Sequence, residues 1–210
     1  MRRTRVAGLL VVIAAIAALT QPWAKSSSST AAAPLHVLQR EPPGPPRETG
    51  GAAANGRRRL GEADGAVPPG TTVFDDEMPG VAKLDADLLG ALRRAATDGA
   101  DDGVQFYVDS GWRSPGYQER LLREAISKYG SEAEATRWVA TPETSAHVKG
   151  NAVDIGPSGA AAWLAEHGAA YGLCQTYGNE PWHYELRPEA IAHGCPAMYD
   201  DPTHDPRMQR

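Results

Sequence analysis

From about residue 71, apolar side chains recur every three or four residues in two stretches, as they do on the buried face of a helix. Asp85 is placed to cap the first predicted helix, which ends at Gly99. Ser114 and Pro115 open the second with a capping hydroxyl and a first-turn proline, and Gly130 ends it. The apolar positions are Leu88, Leu89, Leu92, Ala95 and Ala96, then Leu121, Leu122, Ala125, Ile126 and Tyr129.

Shorter elements follow these two helices. Ser131 and Glu134 predict a capping box at the start of a third helix that reaches Val139. Short apolar runs predict four strands and one further helix. The strands are predicted at 105–108, 152–155, 173–177 and 182–186, and the helix at 160–166. Helices first and most strands later indicate an α+β domain, a small antiparallel sheet with flanking helices.

The N-terminus has a different pattern. Arg2, Arg3 and Arg5 precede an uncharged run over residues 6–24, which is the charge order of an export signal. As a helix this run is about 28 Å long, near the minimum for a membrane span. We expect an uncleaved single-pass anchor at the cell membrane, because no Ala-x-Ala site directly follows the apolar core. Secretion after cleavage is the alternative, and both place the later residues outside the cytoplasm.

Residues 25–70 are rich in Pro, Gly and Ser and carry almost no large apolar side chain to bury, so we expect a flexible, disordered linker. The predicted organisation is therefore a signal or anchor segment at 1–24, the linker at 25–70, one folded domain at 71–200 and a tail at 201–210.

Charge is unevenly distributed over the 210 residues, whose formal net charge is -5. Residues 1–70 carry nine Lys and Arg against four Asp and Glu, whereas residues 71–210 carry twelve against twenty-two. An acidic domain argues against a nucleic-acid partner held by phosphate contacts. Acidic clefts suit cations instead.

Cys174 and Cys195 are the two cysteines of the sequence, too few for a Cys-rich zinc site. Export would place them in an oxidising compartment, where a single cysteine pair commonly forms a bridge. We therefore predict a disulfide between them. Two separate buried thiols are the alternative.

The second half of the domain holds a group of residues able to bind a metal. Asp154 lies within an otherwise apolar predicted strand, where an unpaired carboxylate would be costly to bury. With His147 and His183 it makes two imidazoles and one carboxylate, a ligand set of catalytic zinc that leaves a fourth position for water. Glu180, three residues before His183, is placed to act as a base on that water. An ion-paired His–Asp network with a structural role is the alternative.

Three sequence blocks surround these residues. Ser145–Asp154 contains S-x-H-x-x-G-x-A-x-D, and Glu180–His183 contains E-x-W-H. Upstream, Ser110–Ser114 reads S-G-W-R-S and is followed by Gln118. In this order the blocks resemble the zinc D,D-peptidases, a family that includes VanY-type D-alanyl-D-alanine carboxypeptidases, VanX-type and VanXY relatives, and endolysins. The resemblance covers roughly residues 109–186.

The resemblance implies a catalytic domain that uses Zn²⁺ as its cofactor. His147, Asp154 and His183 would be the zinc ligands, and Glu180 would be the catalytic base. Zinc lowers the pKa of bound water towards about 7, which makes hydroxide available near neutral pH. Glu180 would take the proton of this water and deliver it to the leaving amine.

Further roles follow from the same resemblance. Arg113 would polarise the scissile carbonyl and stabilise its oxyanion. Ser145 and Gln118 correspond to positions that hold the substrate's C-terminal carboxylate. Trp182 matches an aromatic position of the family, where we expect it to support packing beside His183.

Within the family, a carboxypeptidase that removes the terminal D-Ala of peptidoglycan stem peptides ending in D-Ala-D-Ala is the favoured activity. Only residues 155–179 separate the Asp ligand from the catalytic Glu, too few for a large lid as well as a helix and a strand. The alternatives are a D,D-dipeptidase or bifunctional enzyme, a peptidoglycan endopeptidase, and a wall-binding module without activity. Resistance to glycopeptide antibiotics and ordinary wall trimming both agree with this activity, and we expect a monomer.

Overall fold

Six α-helices and four β-strands form over residues 60–209, the part of the chain that the computed structural model describes. The helices are α1 (Pro79–Ala82), α2 (Ala86–Asp101), α3 (Pro115–Tyr129), α4 (Glu132–Ala135), α5 (Ser158–His167) and α6 (Ala190–His193). The strands are β1 (Tyr107–Ser110), β2 (Ala152–Gly156), β3 (Leu173–Gln175) and β4 (His183–Leu186). This content confirms the predicted α+β class, with strand bounds shifted by one or two residues.

The four strands form one antiparallel sheet, as predicted, and their order in it is β1–β2–β4–β3. Every residue of β2, a central strand, is buried. In the sheet register, Asp154 lies opposite His183 of β4 on one side and beside Ser110 of β1 on the other. The sheet therefore brings together residues that are far apart in the sequence.

Both long helices begin where their local sequence indicates. Asp85 accepts hydrogen bonds from two backbone amides of α2, and Ser114 accepts one from an amide of α3. Gly130 closes α3 with a φ of 86°, a left-handed conformation that glycine adopts without a steric penalty. α2 continues past the predicted Gly99 to Asp101.

The predicted third helix is shorter than expected. Ser131 Oγ accepts a hydrogen bond from Glu134 N, but α4 stops before Val139. Beyond α4 the indole of Trp138 stacks on the ring of Tyr129, with centroids 6.0 Å apart. The capping residue therefore starts α4 but does not set its length. The conformation of the residues after α4 depends on tertiary packing.

Two apolar clusters hold these elements together. The larger lies between α2, α5 and the sheet, and it buries Leu88, Leu164 and Ile155 almost completely. The smaller joins α3 to α4 and to the chain around Leu60 and Ala66. Removal of this apolar surface from water is the main source of the domain's stability.

Residues before and after the range 71–200 also pack against the folded domain. Before this range, Ala66 is buried against α3. After it, Asp201 and Asp205 are buried and paired with arginines. Residues 1–59, which include the predicted signal or anchor and most of the predicted linker, lie outside the described residues. Within 60–209, no helix is long and apolar enough to cross a membrane.

The predicted disulfide is confirmed. Cys174 of β3 is bonded to Cys195, with the two Cα atoms 5.6 Å apart and a sequence separation of 21. The bridge ties β3 to the segment after α6, and the loop that it closes contains Glu180 and His183.

Candidate metal and catalytic site

Three buried side chains from two strands and a loop meet at the centre of the sheet. His147 lies in the loop before β2, Asp154 lies in β2, and His183 begins β4. Their ligand atoms all lie within 4.8 Å of one another. His183 Nδ1 is 3.2 Å from His147 Nε2 and 3.2 Å from Asp154 Oδ1, and His147 Nε2 is 3.4 Å from the same oxygen.

The other ring nitrogen of each histidine is held by an acceptor. His147 Nδ1 donates to the carbonyl of Gly111 at 2.8 Å, and His183 Nε2 donates to Glu185 Oε1 at 3.4 Å. Such outer contacts fix the tautomer and the orientation of a ligating imidazole. When the two rings are neutral, the lone pairs of His147 Nε2 and His183 Nδ1 therefore lie on the side that faces Asp154.

This donor set fits a zinc ion. Two imidazole nitrogens and one carboxylate oxygen are among the three-ligand sets of catalytic zinc, and all three residues are buried. His147 Nε2 and His183 Nδ1 lie 3.2 Å apart beside the Asp154 carboxylate, an arrangement that a bound cation would stabilise.

The charges around the site shift the pKa values of the three ligands. Burial alone would raise the pKa of Asp154, but His147, His183 and Arg113 together hold it well below its usual range. Burial and the nearby Arg113 charge lower the pKa of His147. Burial would also lower the pKa of His183, but hydrogen bonds to Asp154 and Glu185 outweigh it and raise that pKa to about 10. The carboxylate stays ionised, as a metal ligand must.

Arg113 is held by three side chains. Its Nη2 donates to Asp154 Oδ2 at 2.8 Å, its Nε to Ser110 Oγ at 2.8 Å, and its Nη1 to Gln118 Oε1 at 3.1 Å. Arg113 is buried, yet it lines the same pocket as the two histidines. A guanidinium has five N–H donors, and these contacts use three of them.

Glu180 is a buried carboxylate next to the ligand group. Its Oε2 lies 3.7 Å from His183 Nδ1. Burial raises the pKa of Glu180 to about 8 and outweighs the nearby charges of His183 and Arg113, which would lower it. A carboxyl group with a pKa near neutral is suited to both accepting and returning a proton.

Ser145 and Gln118 lie in the pocket wall, but their polar atoms are differently occupied. Both polar groups of the Gln118 side chain are engaged, since its Oε1 accepts from Arg113 and its Nε2 donates to the carbonyl of Ala140 at 2.8 Å. Ser145 Oγ accepts from Val148 N at 3.3 Å, which leaves its hydroxyl proton free to donate. The geometry thus places Gln118 as a support for Arg113.

A pocket of about 210 Å³ opens over the site. The part near the histidines is polar and includes Glu180 and Trp182. The part along α3 is mostly apolar, with Glu124 and Lys128 at its exposed edge. Its apolar lining is Leu121, Ala125, Tyr129, Trp138 and Val139. Every residue that the sequence assigns to the metal, base, arginine and substrate positions lines this one pocket.

Sequence reasoning missed Ser110, Glu185 and Arg207 as parts of the site. Ser110 stands in one of the motif blocks, and Glu185 lies on the same face of β4 as His183. Both could therefore have been recognised from their positions in the sequence. Arg207 left no local signal. It reaches Glu185 from the last residues of the chain, through a contact that only the fold creates.

Comparison with known proteins gives consistent matches. The family model described as "VanY: D-alanyl-D-alanine carboxypeptidase" matches residues 81–189. A curated D-alanyl-D-alanine carboxypeptidase of Enterococcus faecalis is 34% identical over 143 residues, which are 56% of this chain and 53% of that protein. The chain thus spans about half the length of this relative.

Solved structures also match. A Zn(II) complex of a mutant of the vancomycin-resistance D,D-pentapeptidase VanY, from a VanB-type cassette, has a TM-score of 0.47 at 29% identity, covering 49% of this chain and 72% of that chain. VanYB in complex with D-alanine-D-alanine has a TM-score of 0.47 at 30% identity, covering 49% of this chain and 71% of that chain.

Proposed function

Because this chain belongs to the VanY family, we propose that it is a zinc-dependent D,D-carboxypeptidase that removes the terminal D-Ala from peptidoglycan precursors ending in D-Ala-D-Ala. The observation that carries the proposal is the buried group of His147, Asp154 and His183, with Glu180 and Arg113 in the same pocket. The description of the matched family and the name of the Enterococcus relative support this substrate class.

Zinc would be held by His147 Nε2, Asp154 Oδ1 and His183 Nδ1, the three atoms that face one another. When bound, it supplies a Lewis acid that activates water and polarises a carbonyl near neutral pH. The carbonyl of Gly111 and the carboxylate of Glu185 keep both imidazoles oriented for this role.

Glu180 moves the proton in this mechanism. Its carboxylate accepts a proton from the attacking water and returns it to the amine of the leaving D-Ala. Burial raises the pKa of Glu180 to about 8, which makes it a stronger base than an exposed carboxylate. Its position 3.7 Å from His183 Nδ1 keeps the proton transfer next to the metal ligands.

Arg113 stabilises the negative charge that develops on the substrate's carbonyl oxygen. Its guanidinium is permanently charged, and contacts with Asp154, Ser110 and Gln118 hold it in place. A preorganised cation is effective because no reorientation is needed during the reaction. The free hydroxyl proton of Ser145 is the donor we assign to the substrate's C-terminal carboxylate.

A long precursor is the substrate class that we favour over the free dipeptide. α5, a short turn at Gly168–Tyr171 and β3 account for most of the chain between β2 and the Glu180 loop, which leaves little room for a large lid. We further propose an extracytoplasmic location, with residues 1–24 as a membrane anchor. The Arg-rich flank and the Cys174–Cys195 bridge support export, because such bridges persist in oxidising compartments.

Product analysis tests the proposal. The full chain is incubated with a stem pentapeptide, with free D-Ala-D-Ala and with cross-linked wall, and the products are identified by mass spectrometry. We expect release of D-Ala from the pentapeptide, loss of release with a chelator, and recovery with zinc.

Two results would contradict the proposal. Cleavage of cross-links without D-Ala release would make the protein an endopeptidase, and hydrolysis of the free dipeptide alone would make it a dipeptidase. A Glu180→Gln variant prepared in parallel excludes a contaminating peptidase, because it should release D-Ala at least about 100-fold more slowly.

A further inference from the structure

We propose that residues 201–208, here called the C-terminal strap, contribute to the catalytic site by orienting a metal ligand and by lining the substrate pocket. The strap positions His183 through Arg207 and Glu185, and it supplies one wall of the pocket. It lies beyond residues 81–189, which match the family model. The inference rests on the proposed function, since it assigns His183 as a metal ligand.

Glu185 contacts the metal-ligand candidate His183 directly. Glu185 lies two residues after His183, so both side chains project from the same face of β4. Glu185 is 2% exposed, and its Oε1 accepts a hydrogen bond from His183 Nε2. This contact leaves Nδ1 as the nitrogen that faces Asp154.

Arg207 of the strap in turn contacts Glu185. Arg207 Nη1 lies 2.6 Å from Glu185 Oε2, and Nη2 lies 3.1 Å from Oε1, so the guanidinium binds both carboxylate oxygens. Arg187 Nη2 adds a contact of 2.9 Å with Oε2. A buried carboxylate needs such cations, because desolvation otherwise penalises its charge. The bidentate geometry also fixes the direction in which Glu185 points.

The strap is itself fastened at both ends. Asp205, which is fully buried, accepts hydrogen bonds from Arg207 Nε at 2.9 Å and from Tyr177 Oη at 3.0 Å. Asp201 pairs with Arg137 Nε at 2.8 Å. The ring of Tyr177 lies 5.1 Å from the ring of His183. The strap therefore crosses the fold next to His183 and cannot shift without breaking buried contacts.

The strap also faces the substrate pocket. Pro202 and Met208 line it together with Tyr177 and His183. These two apolar side chains lie on either side of Arg207 and Asp205 in the sequence, so the same anchors that hold Glu185 also hold the pocket wall. The strap should thus affect metal binding through Arg207 and substrate binding through Met208.

The test measures zinc affinity in the full chain by competition with a chelating dye. Arg207→Ala and Glu185→Gln should each weaken zinc binding about tenfold to a hundredfold, the range seen when an outer partner of a ligating histidine is removed. Arg207→Lys should recover part of that loss. Arg123→Ala, on the exposed surface of α3, is the matched control and should bind zinc as the wild type does.

A second readout separates positioning from simple loss of folding. The d–d absorption bands of the Co(II)-substituted protein report the ligand geometry, and circular dichroism reports the fold. We expect Glu185→Gln to alter the cobalt bands while the far-ultraviolet spectrum stays unchanged. Met208→Ala should raise KM for the stem pentapeptide and leave the zinc affinity unchanged.

Unchanged zinc binding in the folded variants would overturn the inference. If the wild type binds zinc but folded Arg207→Ala and Glu185→Gln bind it equally well with unchanged cobalt bands, the strap does not position His183. If Arg207→Ala does not fold, Glu185→Gln alone decides, because Arg207 keeps Asp205 as its partner there. Failure of the wild type to bind zinc would instead refute the proposed function.

Discussion

Arg113 and Asp154 form a buried ion pair, with Nη2 of the arginine 2.8 Å from Oδ2 of the aspartate. The other oxygen of Asp154 faces His147 and His183. The carboxylate of Asp154 therefore contacts a permanent cation through one oxygen and faces the two imidazoles through the other. Ion pairing keeps Asp154 charged in a dry site and also fixes the direction of the arginine.

We expect Arg113→Lys to lower kcat/KM about 100-fold or more, although the charge is kept. A lysine ammonium cannot hold Asp154, Ser110 and Gln118 at once and still face the substrate. Steady-state kinetics on a stem pentapeptide measure the loss. Arg93 lies on α2 and pairs with Asp76 outside the pocket, so Arg93→Lys should be near wild type. Near-normal kcat/KM in Arg113→Lys would mean that Arg113 has a structural role and does not stabilise the transition state.

Glu180→Gln should retain zinc and the fold but lose a factor of about 100 to 10,000 in kcat, because it removes a base and keeps the side-chain shape. Metal analysis and single-turnover kinetics check both parts. Glu189→Gln, at an exposed site, is the control. Full activity in Glu180→Gln would show that another group transfers the proton.

Removal of the disulfide should lower the free energy of unfolding by about 3 kcal/mol, since the bridge restricts a loop in the unfolded chain. Urea unfolding of the Cys174→Ala/Cys195→Ser double variant measures this loss. Reductant should destabilise the wild type and leave the double variant unchanged. Zinc content should be equal in both, because neither cysteine is among the grouped ligand residues. Equal unfolding curves for the two proteins would contradict a stabilising role.

Asp201→Asn should destabilise the protein by about 1 kcal/mol at neutral pH and less in acid. Burial alone would raise the pKa of Asp201, but hydrogen bonds from Thr203, Arg137 and His204 lower it to about 2. Because the folded pKa is below the unfolded one, the stabilisation is complete above about pH 4 and is lost as the pH falls towards 2.

Thermal melts of the wild type and Asp201→Asn from pH 7 to pH 2.5 measure this difference. Asp200→Asn, at the exposed neighbouring position, is the matched control. A difference in stability that stays constant down to pH 2.5 would mean that the charge of Asp201 does not contribute.

Local signals in the sequence were sufficient for much of the fold. Asp85 and Ser114 start α2 and α3, and Gly130 ends α3, because a cap acts on backbone groups within one turn of itself. The same locality explains the failure at α4. Ser131 starts that helix, but the stacking of Trp138 on Tyr129 depends on a neighbouring helix that a local pattern does not include.

The sequence by itself determined which residue types could bind a metal, since His147, Asp154 and His183 stand in recognisable blocks whose spacing is local. Only the tertiary structure decided how they meet, through a strand register that sets Asp154 opposite His183. It also turned Gln118 towards Arg113 and brought Arg207 to Glu185. Such contacts join residues from distant parts of the chain, and their partners are chosen by packing and buried charge, which no local pattern encodes.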